Sequence, residues 1–329
     1  MKLSDIRVVI MGASSGIGAA TAVAFAREGA QLVLGARGKE GLDDVVARCR
    51  AAGGSAEAVV VDAVDADAVA AFARRARDIL GRIDLWFSNV GAGVVGKYAE
   101  VPLEDHRRVI ETNLLTHMND AHAVLPIFLE QDHGIWVNMI SSGGYVAAPY
   151  AAAYSASKFG LRGFSEALRA ELGKRRRIHV CDVYPTFVDT PGFSHAANYT
   201  GAHLSYPPGA LAPETVADAV VKLARSPRDT TAVGAPAAAM KATQLAPNLV
   251  AAGMNRFMDA WARRAERTGD TRGALYEPPH GASGVHADAS RLNQPRPQPS
   301  QPANKALVAG AAVVAAAIGM QLLRKRADQ

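Results

Sequence analysis

The 329-residue chain has two cysteines, Cys49 and Cys181, too few to frame a disulfide scaffold. Both fall in stretches that read as helix and strand, so free thiols in a reducing cytosol are expected. Nine histidines form no HExxH or Cys/His cluster, so no metal site is expected. The opening residues, Met1-Lys2-Leu3-Ser4-Asp5, run straight into a strand without the apolar stretch that a secretory signal requires. Nor does the body of the chain carry an excess of charge. The formal net charge is +5, and Arg291, Arg296, Lys305, Arg324, Lys325 and Arg326 against Asp328 supply all of it. Residues 1–290 are therefore formally neutral, which removes the basic surface that a nucleic-acid partner needs. With 49% hydrophobic and 20% charged residues, the chain reads as globular and long enough to bury a full core.

Over the first 190 residues, short β-branched runs alternate with longer Ala-rich stretches. Strands are expected at Ile6–Met11, Gln31–Gly35, Ala56–Val61, Ile83–Ser88, Ile135–Ile140 and Ile178–Val183. Helices are expected at Ile17–Arg27, Ala66–Leu80, His106–Glu130 and Ser155–Gly173. Continuous apolar strands spaced by helices imply an α/β fold, a doubly wound parallel sheet covered on both faces. Pro191–Pro213 reads as a loop or lid over the site, Pro213–Arg225 as a helix, Thr230–Val233 as a last strand, and residues 234–270 as mixed but helical. A single catalytic domain is expected over residues 1–275. Residues 276–304, with Pro278, Pro279, Pro295, Pro297, Pro299 and Pro302, read as an extended linker. Residues 305–329 hold an uncharged run, Ala306–Leu323, between Lys305 and Arg324-Lys325-Arg326. As a helix that run is about 27 Å long, near the minimum for a bilayer core. Membrane contact through residues 306–323 is expected, with the catalytic domain cytoplasmic. The terminal bases oppose a simple span, because the positive-inside rule would keep them on the cytoplasmic side.

Directly after the first strand comes Gly12-Ala13-Ser14-Ser15-Gly16-Ile17-Gly18, leading into a helix. Glycines there permit a tight turn, close approach to a pyrophosphate and close helix–strand packing, while the helix N-terminus offers N–H donors to phosphate. The second strand ends Gly35-Ala36-Arg37-Gly38-Lys39, with no acid before Glu40. A carboxylate there would bind a ribose diol and repel a 2′-phosphate, whereas Arg37 can grip the phosphate with a charge-assisted fork. NADP(H) is the expected cofactor. Asp62, ending the third strand, is placed either to accept a hydrogen bond from adenine or to cap the next helix.

Tyr154-Ser155-Ala156-Ser157-Lys158 puts a phenol and an ammonium on one helix face. The spacing alone is weak evidence, since about half of chains this long carry it by chance. A nearby ammonium would favour the phenolate, lowering a pKa that is ordinarily near 10. Taken with the glycine turn, Asn89 and Gly91 after the fourth strand, Asn113, Ser141 and Tyr154-x3-Lys158, the chain resembles the short-chain dehydrogenase/reductase family over about residues 4–235. The resemblance implies a Rossmann-type sheet and a tetrad of Asn113, Ser141, Tyr154 and Lys158. It selects Ser141 over Ser142, because the family serine lies thirteen residues before the tyrosine and seven after the glycine opening the fifth strand, here Gly134. It further implies that Asn113 holds a water linking Lys158 to solvent. Pro185, Val188 and Thr190 would face the cofactor's carboxamide and phosphates, joining Gly12, Ser14, Ser15, Gly16, Ile17, Gly18, Arg37, Asp62, Asn89, Gly91, Tyr154 and Lys158 as cofactor contacts. The sequence departs from the family pattern at Met11 for Thr, at Ser88 and Val90 in the Asn-Asn-Ala-Gly run, and at Thr186 for Gly.

The activity implied is hydride transfer between NADP(H) and a ketone or secondary alcohol. Phe193, His195, Tyr199 and Tyr206 point to a partly apolar pocket and a lipophilic substrate. A homo-oligomer is expected, since helices bearing Asn113 and Tyr154 often pair in this family. The alternatives are a catalytically silent dinucleotide-binding protein at a membrane, and an epimerase or dehydratase on the same fold. The intact tetrad weighs against the first; the lack of a sugar-nucleotide domain weighs against the second.

Overall fold

The computed structural model describes residues 3–206, 209–278 and 284–287. The first half runs β1 (Arg7–Met11), α1 (Gly16–Arg27), β2 (Gln31–Ala36), α2 (Lys39–Ala51), β3 (Ser55–Val60), α3 (Ala66–Leu80), β4 (Leu85–Ser88) and a two-residue β5 (Val94–Val95). There follow α4 (Leu103–Ile110), a π-helical turn (Glu111–Leu115), α5 (Thr116–Gln131), β6 (Gly134–Met139), α6 (Ala152–Glu171) and β7 (Ile178–Pro185). The remaining described elements are α7 (Pro191–Ser194), β8 (Ala197–Asn198), α8 (Pro213–Arg225), β9 (Thr230–Val233), α9 (Ala237–Ala242) and α10 (Pro247–Arg264).

Seven strands pair in the order β3-β2-β1-β4-β6-β7-β9, every neighbouring pair parallel. Because strand side chains alternate in direction, Val8 and Ile10 of β1 pack on one face with Phe25, Leu42 and Val220 from α1, α2 and α8. Val9 and Met11 pack on the other with Phe72 of α3, Phe128 of α5, Trp86 and Trp136. Both faces are thus apolar, as continuous hydrophobic strands require. The chain winds outward from β1 to β2 and β3 on one side and to β4 on the other. The loops after β1 and β4 therefore diverge and leave a crevice at the carboxyl ends of the strands.

Helix limits follow local chemistry. The α3 helix starts at Asp65, whose carboxylate accepts from the Asp67 and Ala68 N–H groups, and stops at the left-handed Gly81. Asp65, not Asp62, is therefore the cap. Asp62 instead accepts from the Val64 N–H in its own turn, at 3.1 Å.

Three expectations change. The helix expected over His106–Glu130 is two helices joined by the π turn; Thr116 hydrogen-bonds the Thr112 carbonyl at 2.7 Å, and the Asn113 amide is spent on a neighbouring loop. The expected loop Pro191–Pro213 contains α7, begun by Pro191, and β8, which pairs parallel with β5 to form a second, two-stranded sheet. Finally, Tyr276–Pro278 and Gly284–Ala287, expected within the linker, lie against the α/β domain. Leu275 and Val285 are 1% and 6% exposed, and burying each contributes about 1.5–3 kcal/mol. The rest of the linker and the Ala306–Leu323 run lie outside the described residues. Among the described residues no helix is long and apolar enough to cross a membrane.

Candidate active site

The crevice is floored by the glycine turn. Gly12 has φ +83°, and a Cβ there would meet Asn89 and Val90 backbone at 3.1 Å. A Cβ on Gly18 would sit 2.1 Å from the Gly12 carbonyl oxygen, so only glycine lets α1 begin this close to β1. Asn89 locks the two loops together by donating to the Gly12 carbonyl at 3.1 Å. Ser15 precedes α1 without a side-chain capping bond, and the first N–H of the helix, that of Gly16, donates to the Gly284 carbonyl at 3.0 Å, an acceptor position that a phosphate oxygen could also take. Ser14 abuts α2 beside Gly41, and Ile17 packs on the core. Thr190 closes the opposite wall, since a Cβ on Gly16 would lie 3.2 Å from the Thr190 Cβ. Pro185 ends β7, and Val188 bridges to Leu211. A glycine cradle, an uncapped helix N-terminus and flanking loops at the strand switch point fit a dinucleotide.

Arg37 lies at the rim where β2 ends. Its guanidinium donates to the Tyr276 carbonyl at 2.6 Å and the Ala274 carbonyl at 3.4 Å. Burial lowers its pKa, Asp62 opposes that shift, and the Arg108 guanidinium adds to it. Asp62 is thus close enough for its charge to act on Arg37, as two residues at one end of a cofactor groove should be.

Ser141, Tyr154 and Lys158, expected to be the reacting groups, come together at the mouth of β6 and along α6. Ser141 follows β6 at φ +130°, a conformation uncommon for a side-chain-bearing residue and often kept where function needs it. Its hydroxyl accepts from the Gly143 N–H at 3.1 Å. Gly143 lies between the two groups: a Cβ there would be 3.1 Å from the Tyr154 ring and 3.5 Å from Ser141 Oγ. Burial raises the Tyr154 pKa, and a hydrogen bond with Ser141 opposes the rise. The sequence implied the opposite direction, a phenol made more acidic by Lys158. Lys158 Nζ lies 5.8 Å from the Tyr154 ring centroid, and burial pushes the lysine itself down to about 7. Desolvation therefore sets the direction of the phenol's shift, opposed by the Ser141 hydrogen bond.

Lys158 is held from below. Its Nζ donates to the Met139 carbonyl at 3.1 Å, its one hydrogen-bond partner among the described residues, leaving ammonium donors for a ligand. Asn113 is fully buried. Its Oδ1 accepts from the Ala92 N–H at 2.7 Å, while Nδ2 donates to the Ala92 carbonyl at 2.9 Å and to Ser157 Oγ at 3.2 Å. It thus clamps the β4 loop to α6, and Gly91 in that loop faces both Asn113 Oδ1 and Lys158 Nζ.

Lys158 burial carries a stability cost with a defined pH window. Its folded pKa of about 7 lies below the ordinary 10.5, so the unfolded chain binds more protons between those values and stability rises with pH across them. Lys158→Met should therefore raise the melting temperature of the cofactor-free protein, by roughly 3–8 °C near pH 6.5, and by much less at pH 10. Calorimetry showing equal shifts at both pH values would contradict this account.

Residues 7–199 match the sequence profile of the short chain dehydrogenases. The chain belongs to the short-chain dehydrogenase/reductase family. A ketoacyl reductase of Nostoc, HetN, is 33% identical over 220 residues, covering 67% of this chain and 75% of that protein. The 3-oxoacyl-[acyl-carrier-protein] reductase FabG of Thermotoga maritima is 34% identical, over 58% of this chain and 77% of its own. Among solved structures, an alcohol dehydrogenase of Thermococcus sibiricus complexed with 5-hydroxy-NADP is 26% identical, with a TM-score of 0.60 over 69% of this chain and 94% of that one. The short-chain dehydrogenase fold binds a nicotinamide dinucleotide, and the family assigns this chain an oxidoreductase activity on small molecules.

Beneath this family's tetrad lies a polar layer that the sequence reading passed over. His117, one turn beyond Asn113, lies between the Asn138 amide at 2.6 Å and the Val90 carbonyl at 2.8 Å. Burial and then the Lys158 charge push it down to about 3, so it stays neutral. Asp120 accepts from Ser88 at 2.5 Å, and burial raises it to about 7. The signal was in the sequence: Asn113, His117 and Asp120 recur at helical spacing on a face that core packing would make apolar.

Proposed function

We propose that this protein is an NADP(H)-dependent oxidoreductase that interconverts a ketone and a secondary alcohol, with Tyr154 as general acid/base. The observation that carries this reading is the convergence of the half-buried Tyr154 phenol, the Ser141 hydroxyl and Lys158 at the mouth of the dinucleotide crevice. When bound, the cofactor supplies the hydride or accepts it. Tyr154, its pKa raised by burial, is protonated near neutral pH and suited to deliver a proton to the substrate oxygen in reduction. Ser141, held in place by the Gly143 N–H, offers its hydroxyl to the same oxygen as negative charge develops there. Lys158 can donate an N–H to a ribose hydroxyl oxygen and pass a proton on towards Tyr154, while Asn113 and Ser157 keep its helix and the facing loop in register.

The NADP(H) preference rests on Arg37, which ends β2 with no carboxylate before Glu40. A lipophilic substrate is supported by the apolar cluster that includes Tyr154, namely Val94, Val101, Val109, Ala153, Ala197 and Leu275. Phe193 and Tyr206 form a second apolar contact, their rings tilted by 32° at a centroid distance of 4.4 Å. The relatives named as ketoacyl reductases, and an estradiol 17-beta-dehydrogenase of mouse at 30% identity over 62% of its length, point the same way. The test is the consumption of NADPH and of NADH against short aliphatic ketones, 3-oxoacyl thioesters and steroid ketones. Turnover with NADPH and a large apolar ketone is expected. Absence of turnover with every carbonyl would sink the proposal, and faster turnover with NADH would sink its cofactor half.

A further inference from the structure

After α10 the chain turns back across the site. Thr271 bridges to Asn198, and the Ala274 N–H donates to the His195 carbonyl at 2.8 Å. Tyr276 then anchors by donating its hydroxyl to the buried Asp105 at 2.8 Å, and Pro278 reaches Gly38. The described chain resumes at Gly284. Val285 is inserted in the apolar cluster shared by α1 and α8. His286 lies 3.0 Å from Glu214 and 3.5 Å from Asp189, whose carboxylate is 1% exposed and has no hydrogen-bond donor among the described residues.

What these two stretches touch is the dinucleotide groove itself. Arg37 Nη1 donates to the Tyr276 carbonyl at 2.6 Å, and the N–H of Gly16, the first residue of uncapped α1, donates to the Gly284 carbonyl at 3.0 Å. His286 contacts Asp189, the neighbour of Thr190. These donors are the ones that the cofactor's 2′-phosphate and pyrophosphate need. A carbonyl oxygen presents the same acceptor geometry as a phosphate oxygen but only a partial charge, so it can hold such donors and still be displaced by a true anion.

We infer that residues Thr271–Pro278 and Gly284–Ala287 dock in the dinucleotide groove as an intramolecular competitor, and that the cofactor must displace them to bind. The inference rests on the reading of this groove as the NADP(H) site. Its strength sets the apparent affinity: the measured Kd equals the intrinsic Kd divided by the fraction of molecules with the groove open. A groove closed about nine times in ten therefore weakens the apparent affinity roughly tenfold.

The test uses the full chain and NADPH titration followed by nucleotide fluorescence. The double variant Val285→Ser/His286→Ala loosens the segment without altering any residue assigned to the site. It should bind NADPH more tightly than wild type, by roughly five- to tenfold; an equal or weaker affinity overturns the inference. Hydrogen exchange on the wild type gives a second measurement that no folding defect can confuse. Saturating NADPH should speed exchange in peptides covering 271–278 and 284–287, whereas slowed exchange would mean that the segment closes over the cofactor, which also overturns it. If wild type binds NADPH and the variant gains nothing, only the competitor falls. If neither protein binds NADPH or NADH, the reading of the groove falls with it.

Discussion

Tyr154→Phe is expected to reduce kcat for carbonyl reduction by roughly 10²–10⁴-fold, the range that a positioned general acid supplies. The change removes one oxygen from a ring whose packing stays intact, so NADPH affinity and melting temperature should hardly move. A deficit in kcat with unchanged cofactor Kd is the signature of a group that acts on the reacting oxygen. The residual activity should also lose its dependence on alkaline pH in the oxidation direction. With burial raising the phenol's pKa, wild-type oxidation should keep climbing through pH 10 as tyrosinate forms. Tyr154→Phe retaining more than about a tenth of wild-type turnover would remove the tyrosine from the chemistry.

Arg37→Ala should have the second largest effect, and on a different parameter. Hydrogen bonds to a charged group contribute about 1.5–3 kcal/mol, so kcat/KM for NADPH should fall by roughly 10- to 150-fold, mostly through KM. NADH, which has no 2′-phosphate, should lose nothing. It should gain slightly, because Arg37 also anchors the Ala274 and Tyr276 carbonyls. Equal losses for both cofactors would show that Arg37 maintains the groove rather than reading the phosphate.

Much of this was readable before any coordinates, where a local rule decides the outcome. Ala66–Leu80 and Pro213–Arg225 begin and end as expected because an aspartate and a left-handed glycine bound the first and Pro213 opens the second. The glycine turn was legible for the same reason, since its steric demand is met within a few residues. Tertiary context governed the rest. The direction of the Tyr154 shift depends on how deeply a helix face is buried, and no spacing between Tyr and Lys encodes that depth. The role of Asn113 depends on the distant Ala92, so a π turn replaced the single helix that periodicity implied. Arg37 and Gly16 meet residues 274, 276 and 284 through backbone carbonyls, which every residue possesses, so composition could only describe the stretch from residue 276 onward as proline-rich.

The strand order has a consequence for how the molecule comes together. The β1 strand meets β2 after one short helix, but its other edge must wait for β4, and the Asn89–Gly12 bond that ties the groove spans 77 residues. Closing that loop is an entropic cost borne before its contacts form. A nascent chain can therefore hold the glycine turn on a three-stranded fragment while lacking the wall opposite. Dinucleotide then stabilises only chains in which both halves have docked, and a cofactor-rich medium during refolding would favour completed molecules over half-assembled ones.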